Sequence, residues 1–211
     1  MIDILYKDTD IIVCLKQPGE LSQVGKPGEK SLLSALEEEV GGVIYPVHRL
    51  DRETGGVMVF ARTKKAAAVL SAAIQEHKLA KEYVCIVRGI PAERSGNYTD
   101  LLLHDKQRNK TFVVDRVRGG VKEARLSFRV LADNGERSLV RVALQTGRTH
   151  QIRVQFASRK TPLVGDGKYG GGSGELALWS CRLSFPHPVS GEILDFEHMP
   201  AGGVWTEFDV E

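Results

Sequence analysis

Apolar residues along this 211-residue chain recur in two registers. Residues 11–15, 57–61, 83–88, 111–114, 124–131, 138–144, 176–185 and 192–196 are β-branched or alternate apolar with polar, between Gly, Asp, Asn or Pro boundaries. Alternation sends successive side chains to opposite faces, so these runs are expected to be strands. Asp133-Asn134-Gly135 between two of them reads as a hairpin turn. Three stretches instead show helical spacing. Ser31 can cap LLSALEEEV, with Gly41 and Gly42 as the stop. Thr63 can cap KKAAAVLSAAIQEHK, where Val69, Ala73, Ile74 and His77 fall on one face. Thr149 can cap HQIRVQFASRK, with Ile152 and Phe156 one turn apart and Pro162 beyond its end. Many strands and few helices predict an α+β fold: a large, mostly antiparallel mixed sheet with flanking helices and a central cleft. With no fixed-period repeat, low-complexity tract or Ser/Pro linker, residues 1–211 read as one domain.

Composition narrows the class. The chain is 42% apolar and 27% charged, as in an ordinary globular protein. No apolar run approaches the roughly 20 residues that cross a bilayer. The start, MIDILYKDTD, lacks the basic-then-apolar order of a secretory leader. Cys14, Cys85 and Cys181 are odd in number and far apart, each inside an apolar run. They suit buried free thiols in a reducing compartment and fit neither a disulfide framework nor a zinc site. A cytoplasmic, monomeric protein is expected, with no membrane partner. The six histidines show no ligand spacing, so no metal is expected.

Charge is unevenly spread. Residues 106–125 hold seven basic and two acidic side chains, and 141–160 hold five basic and none acidic. After Arg182 come six carboxylates and no Lys or Arg. A basic face of this density favours a polyanion such as nucleic acid. Solvated strand edges with scattered counter-charges are the plain alternative.

Two segments concentrate chemistry. HRLDRETGG, residues 48–56, packs an imidazole, two guanidiniums and two carboxylates between apolar runs. If Leu50 points into the core, Arg49 and Asp51 point the other way. A carboxylate there is costly unless a cation faces it; capping a turn is its structural alternative. GRTHQIR, residues 147–153, follows a strand and opens the third expected helix. Arg148 would sit just outside a helix N-terminus, a place suited to anions. Asp51 and Arg148 are therefore natural partners.

Taken together, the segments resemble the RluA-type pseudouridine synthases, RNA uridine isomerases of ribosomal and transfer RNA. KQPGELS resembles that family's K-P-x-G-L-hydroxyl segment, with Gln17 and Glu20 inserted. HRLDRETGG resembles HRLDxxTSG, with Gly55-Gly56 where Ser-Gly is usual. Ala80-Lys81-Glu82-Tyr83 carries the K-x-Y pattern, GRTHQIR matches intact, and PLVGDGKYG is close to P-x-x-G-D-x-x-Y-G. The resemblance implies a reaction that breaks the base–ribose bond, turns the base and rejoins it through carbon 5, with no metal or other cofactor.

By that resemblance Asp51 is the catalytic carboxylate, as nucleophile or as acceptor of a sugar proton. Tyr83 would stack on the uracil, Arg148 would keep Asp51 charged, and Ile152 would pack beneath the base. Such chemistry needs the nucleotide flipped out of its helix. Arg49 is the candidate to fill the gap, or else to form a salt bridge with Glu53 or Asp51. Lys106, Arg108 and Lys110, with Arg116 and Arg118 after the strand at 111–114, would contact phosphates. These segments begin almost at Met1, so no RNA-binding domain is expected ahead of them. The hydroxyl missing at Gly55 would have to be replaced by a backbone amide or water.

His48 and His150 are expected to brace their loops, and Trp179 and Trp205 to lie in the core. Asp166 reads first as a tight turn in Gly-Asp-Gly. Two other functions remain open: an inactive RNA-binding module of the same fold, or a glycosidic-bond hydrolase using Asp51 and Asp166 as an acid/base pair.

Overall fold

A computed structural model describes residues 2–25 and 28–208. In chain order the elements are β1 (Ile4–Lys7), β2 (Ile11–Lys16), α1 (Leu32–Val40), β3 (Tyr45–Pro46), β4 (Gly55–Ala61), α2 (Lys64–Gln75) and β5 (Ala80–Arg88). Then follow β6 (Ser95–Asp105), β7 (Lys110–Val114), β8 (Val121–Asp133), β9 (Arg137–Leu144), α3 (Gln151–Ala157), β10 (Leu178–Pro186), β11 (Ile193–Glu197) and a short 3-10 helix (Gly203–Glu207). The fold is α+β with a large, mostly antiparallel sheet, as expected. All eight expected strands and all three helices form. Three strands were not foreseen: β1, β3 and the eleven-residue β6. The chain divides into two compact units, Met1–Lys81 with Ser180–Met199, and Glu82–Trp179 with Pro200–Glu211.

In the first unit the strand order is β1-β2-β4-β10, with β11 on β10 and β3 on β4. Strands β2 and β4 are buried at every position, consistent with their unbroken apolar runs. They pair antiparallel, with Cys14 opposite Met58. Helix α1 starts at Ser31 through a capping box with Ser34 and stops at Gly41 with φ 72°. Helix α2 is capped by Thr63, but its buried face is Ala66, Leu70 and Ala73 rather than the face containing Val69, which is exposed. That helix ends at Gln75, and His77 turns left-handed at φ 58° while Lys78 N–H closes back on Ala73 O. No helix among the described residues is long and apolar enough to span a membrane.

The second unit orders its strands β5-β9-β8-β6-β7. Alternate β8 residues Ala124, Leu126, Phe128 and Val130 are buried, so one face of the strand carries the core. Helix α3 packs across β6 and β7. Tyr98, Phe128 and Phe156 form the aromatic seat beneath it, with ring centroids 4.5, 5.2 and 5.7 Å apart. The expected hairpin joins β8 to β9, where Asn134 Oδ1 accepts from the amides of Glu136 and Arg137 and Gly135 takes φ 90°. Trp179 and Trp205 are buried, as are the three free cysteines.

Candidate active site

In the first unit, HRLD is an extended segment fastened along its length. Leu50 is buried, and its N–H and C=O both bond the Ser22 hydroxyl, at 3.1 and 2.9 Å. Arg52 O accepts from Gly19 N–H, and Arg52 Nε donates to Gly19 O at 3.0 Å. Thr54 N–H closes a turn on Asp51 O at 3.1 Å. Beneath this lacing Lys16 is 0% exposed, and its ammonium donates to the carbonyls of Gln17, Arg52 and Thr54 at 3.0, 2.9 and 2.7 Å. Burial pulls its pKa down to about 8, against the pull of Glu20, Glu53 and Asp51. An ammonium with three carbonyl acceptors has its donors filled, so it serves as a hub rather than a reactive amine.

The KQPGELS segment is thus the frame of the HRLD loop, a role the sequence reading did not assign to Lys16. The signal was available: a lysine at the end of the apolar run IIVCL, directly before a Pro-Gly turn. The frame leaves Asp51 half-buried and Arg49 exposed. His48 accepts the Val59 N–H on Nε2 at 3.1 Å, which braces the loop against β4 as expected. Burial, and then the charge of Lys81, hold its pKa well below the ordinary histidine value. Gly56 could not be another residue: φ is 120°, and a Cβ there would lie 2.2 Å from Ser180 O. The Gly-Gly pair therefore reflects close strand approach at its second position.

The second unit positions GRTHQIR. Here the expected cap is corrected: Thr149 does not cap α3. The helix begins after His150, which sits left-handed at φ 54° and makes no side-chain cap. Gln151, the first helical residue, ties down the turn that precedes it. Its Oε1 accepts from Arg148 N–H at 3.0 Å and from the Thr146 hydroxyl at 2.8 Å, while its Nε2 donates to Arg125 O. Thr149 contributes only its carbonyl, which accepts from Thr111 Oγ1 at 2.8 Å. The strained turn is locked from below by Tyr169. That hydroxyl accepts Thr111 N–H at 2.7 Å and shares a second hydrogen bond with His150 Nδ1 at 2.9 Å. A left-handed residue without glycine persists only where its surroundings over-determine it.

Arg148 leaves this turn half-buried, with Nε donating to Glu123 O at 2.9 Å. Ile152 is buried at 4% exposure, and Tyr83 on β5 is buried at 7%. Asp166 is more than a turn residue. It accepts from the amides of Lys168 and Tyr169, and it also receives Arg153 in a fully buried bidentate pair at 2.7 and 2.8 Å. GDGKYGG is in this way bolted to the helix that follows Arg148. Lys106 and Arg108 are exposed at the β6–β7 turn, Arg108 lying 3.7 Å from Asp105. Lys110 is half-buried, its ammonium 5.3 Å above the Tyr169 ring. Arg116 and Arg118 are exposed in the β7–β8 turn.

The fold and these braced segments describe an α+β enzyme whose charged loops are fixed for chemistry on a polyanion. Comparison with known proteins makes the class specific. Residues 10–158 match the family model described as RNA pseudouridylate synthase. An uncharacterized RNA pseudouridine synthase, YhcT of Bacillus subtilis, is 33% identical over 92% of this chain and 67% of its own length. Ribosomal large subunit pseudouridine synthase D of Vibrio cholerae is 35% identical over 94% of the chain and 67% of its length. The chain spans about two thirds of the length of these curated relatives. Among solved structures, human RNA pseudouridylate synthase domain containing 1 superposes with TM-score 0.79 at 22% identity, covering 95% of this chain and 84% of its own. The chain belongs to the RNA pseudouridylate synthase family, isomerases that act on RNA.

Proposed function

We propose that this chain isomerises specific uridines to pseudouridine in a ribosomal or transfer RNA stem-loop, with Asp51 as the catalytic carboxylate. The observation that carries the reading is the Asp51 loop itself. Lys16 and Ser22 fix its backbone from beneath, leaving Asp51 half-buried next to an exposed Arg49. A carboxylate held this way meets a sugar with its orientation already set. Tyr83 stacks on the extruded uracil, with Ile152 as apolar packing beneath it. Arg148 pairs with Asp51 and keeps it ionised, and Arg49 occupies the gap in the RNA. Neither metal nor cofactor takes part. The protein acts as a cytoplasmic monomer. The hydrolase reading loses its second carboxylate, because Asp166 is committed to Arg153.

Mapping pseudouridines across total RNA with and without the gene tests the proposal. Sites that vanish with the gene and return with wild-type protein support it; an unchanged map defeats it. Product analysis separates the other classes, since an isomerase leaves RNA mass unchanged, a hydrolase frees the base and an inactive module does neither.

Arg148→Ala is expected to lower turnover by about 10²-fold or more, with Arg148→Lys recovering only part of it, because lysine restores the charge without the planar fork. Single-turnover rates on the mapped RNA check this, and wild-type rates in Arg148→Ala would give Asp51 a different partner. Lys106 and Arg108, exposed and outside the chemical step, should act through phosphate contacts. Replacing both by Ala should raise the apparent KM, flatten its salt dependence by roughly one unit per contact and leave kcat alone. A salt series superimposable on wild type would reduce them to solvated surface charge. Lys110→Ala is expected to affect kcat as well, because its ammonium packs on the Tyr169 ring that supports the Arg148 turn.

A further inference from the structure

Lys81 is the second residue of β5, and the mechanism above makes no use of it. Its stem is half-buried, and burial lowers its pKa. No hydrogen bond or ion pair ties its ammonium to any described residue. Its neighbour His48 gives no relief. Nε2 of that ring accepts the Val59 amide, so the ring proton sits on Nδ1, and Nδ1 itself has no partner among the described residues. The nearby ring therefore offers the ammonium no counter-charge. The adjacent Glu82 cannot help either, since β5 alternation sends it to the other side of its strand, where it pairs with Arg141 at 2.6 Å. A half-buried cation with no counter-charge is costly to keep and implies that something negative joins it.

Position indicates what that is. His48 lies three residues before Asp51, so the Lys81 charge stands beside the loop that carries the catalytic carboxylate. Along β5, Lys81 shares its strand face with Tyr83 two positions on, a step of about 7 Å. A nucleotide whose uracil stacks on a side chain has its own phosphates about that far from the base. We propose that Lys81 is a substrate-binding residue that takes a backbone phosphate of the flipped uridine nucleotide. It would anchor the sugar–phosphate side while the base is free to turn. The inference depends on the reading of Tyr83 for its geometry, but its test needs no turnover.

The test uses fluorescein-labelled octauridylate, titrated with wild type, Lys81→Met and Lys81→Arg between about 50 and 300 mM KCl. Lys81→Met should bind about tenfold more weakly at the low end. Its log–log salt slope should be shallower by about 0.7, the release expected for one single-strand phosphate contact. Lys81→Arg should keep most of the affinity and the wild-type slope. Thermal unfolding of Lys81→Met should match or exceed wild type, since the unpaired cation is gone. Wild-type affinity and slope in Lys81→Met would overturn the proposal. So would weaker binding with an unchanged slope, which would assign a neutral contact such as a uracil carbonyl. Failure of both Lys81→Met and Lys81→Gln to fold would assign the lysine to the fold and overturn it too. An unchanged pseudouridine map would leave these binding outcomes interpretable on their own.

Discussion

Asp51→Asn is expected to abolish pseudouridine formation, with a fall of about 10⁴-fold or more in the single-turnover rate. The amide preserves shape and most hydrogen bonding but cannot carry the negative charge that attack on the sugar, or removal of its proton, requires. The loop should hold its conformation, because its fasteners are Ser22, Lys16 and backbone groups rather than the Asp51 side chain alone. RNA affinity should stay within a few-fold, and the unfolding temperature should move little. Asp51→Ala should behave in the same way. Substantial turnover by either variant, measured under single-turnover conditions with RNA binding monitored in parallel, would remove Asp51 from the chemistry.

The largest expected effect on stability belongs to Asp166. Asp166→Ala removes one partner of a fully buried bidentate pair, taking the carboxylate away from an Arg153 side chain that is only 6% exposed. Breaking such a pair costs about 3–5 kcal/mol. The amides of Lys168 and Tyr169 lose an acceptor at the same time. Equilibrium denaturation should show the loss directly. Activity should fall with it, because Tyr169 supports the His150 turn from which Arg148 projects. Pairing Asp166→Leu with Arg153→Met should recover part of the stability, since removing both charges also removes the desolvation cost. A catalytic Asp166 would behave differently. Activity would vanish while the denaturation midpoint stayed put, and that result would restore the hydrolase reading.

Much of this was legible in the sequence because local signals and tertiary structure agreed. Ser31, Thr63 and Gly41 mark helix ends with chemistry that acts within one turn. The apolar runs of β2 and β4 are long enough to announce buried strands without ambiguity. Strand β6 stayed hidden because SGNYTDLLLHD contains Gly, Asn and Asp, residues depleted from strands. Its Asp100 is tolerated because Arg159 and Gln155 reach it from α3 and the turn that follows, partners 55 and 59 residues away that no local pattern reveals. Thr149 misled for a related reason. A threonine before an apolar helix is an ordinary cap, but the left-handed His150 and the reach of Gln151 moved the helix start. The chemical residues themselves stood out by type and spacing. What supports them did not, since Lys16 and Tyr169 act through contacts made 36 to 58 residues away along the chain.

The first unit is assembled from two stretches of chain, and that sets an order on its birth at the ribosome. Strand β4, which leads out of the Asp51 loop, lies between β2 and β10, and the Ser180 hydroxyl reaches Val57 O across 123 residues of sequence. At about 5–20 residues per second, the intervening chain takes on the order of ten seconds to synthesise. Throughout that interval the fully apolar GGVMVFA segment can pair with β2 on one side while its other edge waits largely open. Such an edge invites pairing with another nascent chain. Chaperone capture of nascent chains should therefore peak between the emergence of β4 and that of β10, when the strand that leads out of the Asp51 loop gains its second neighbour.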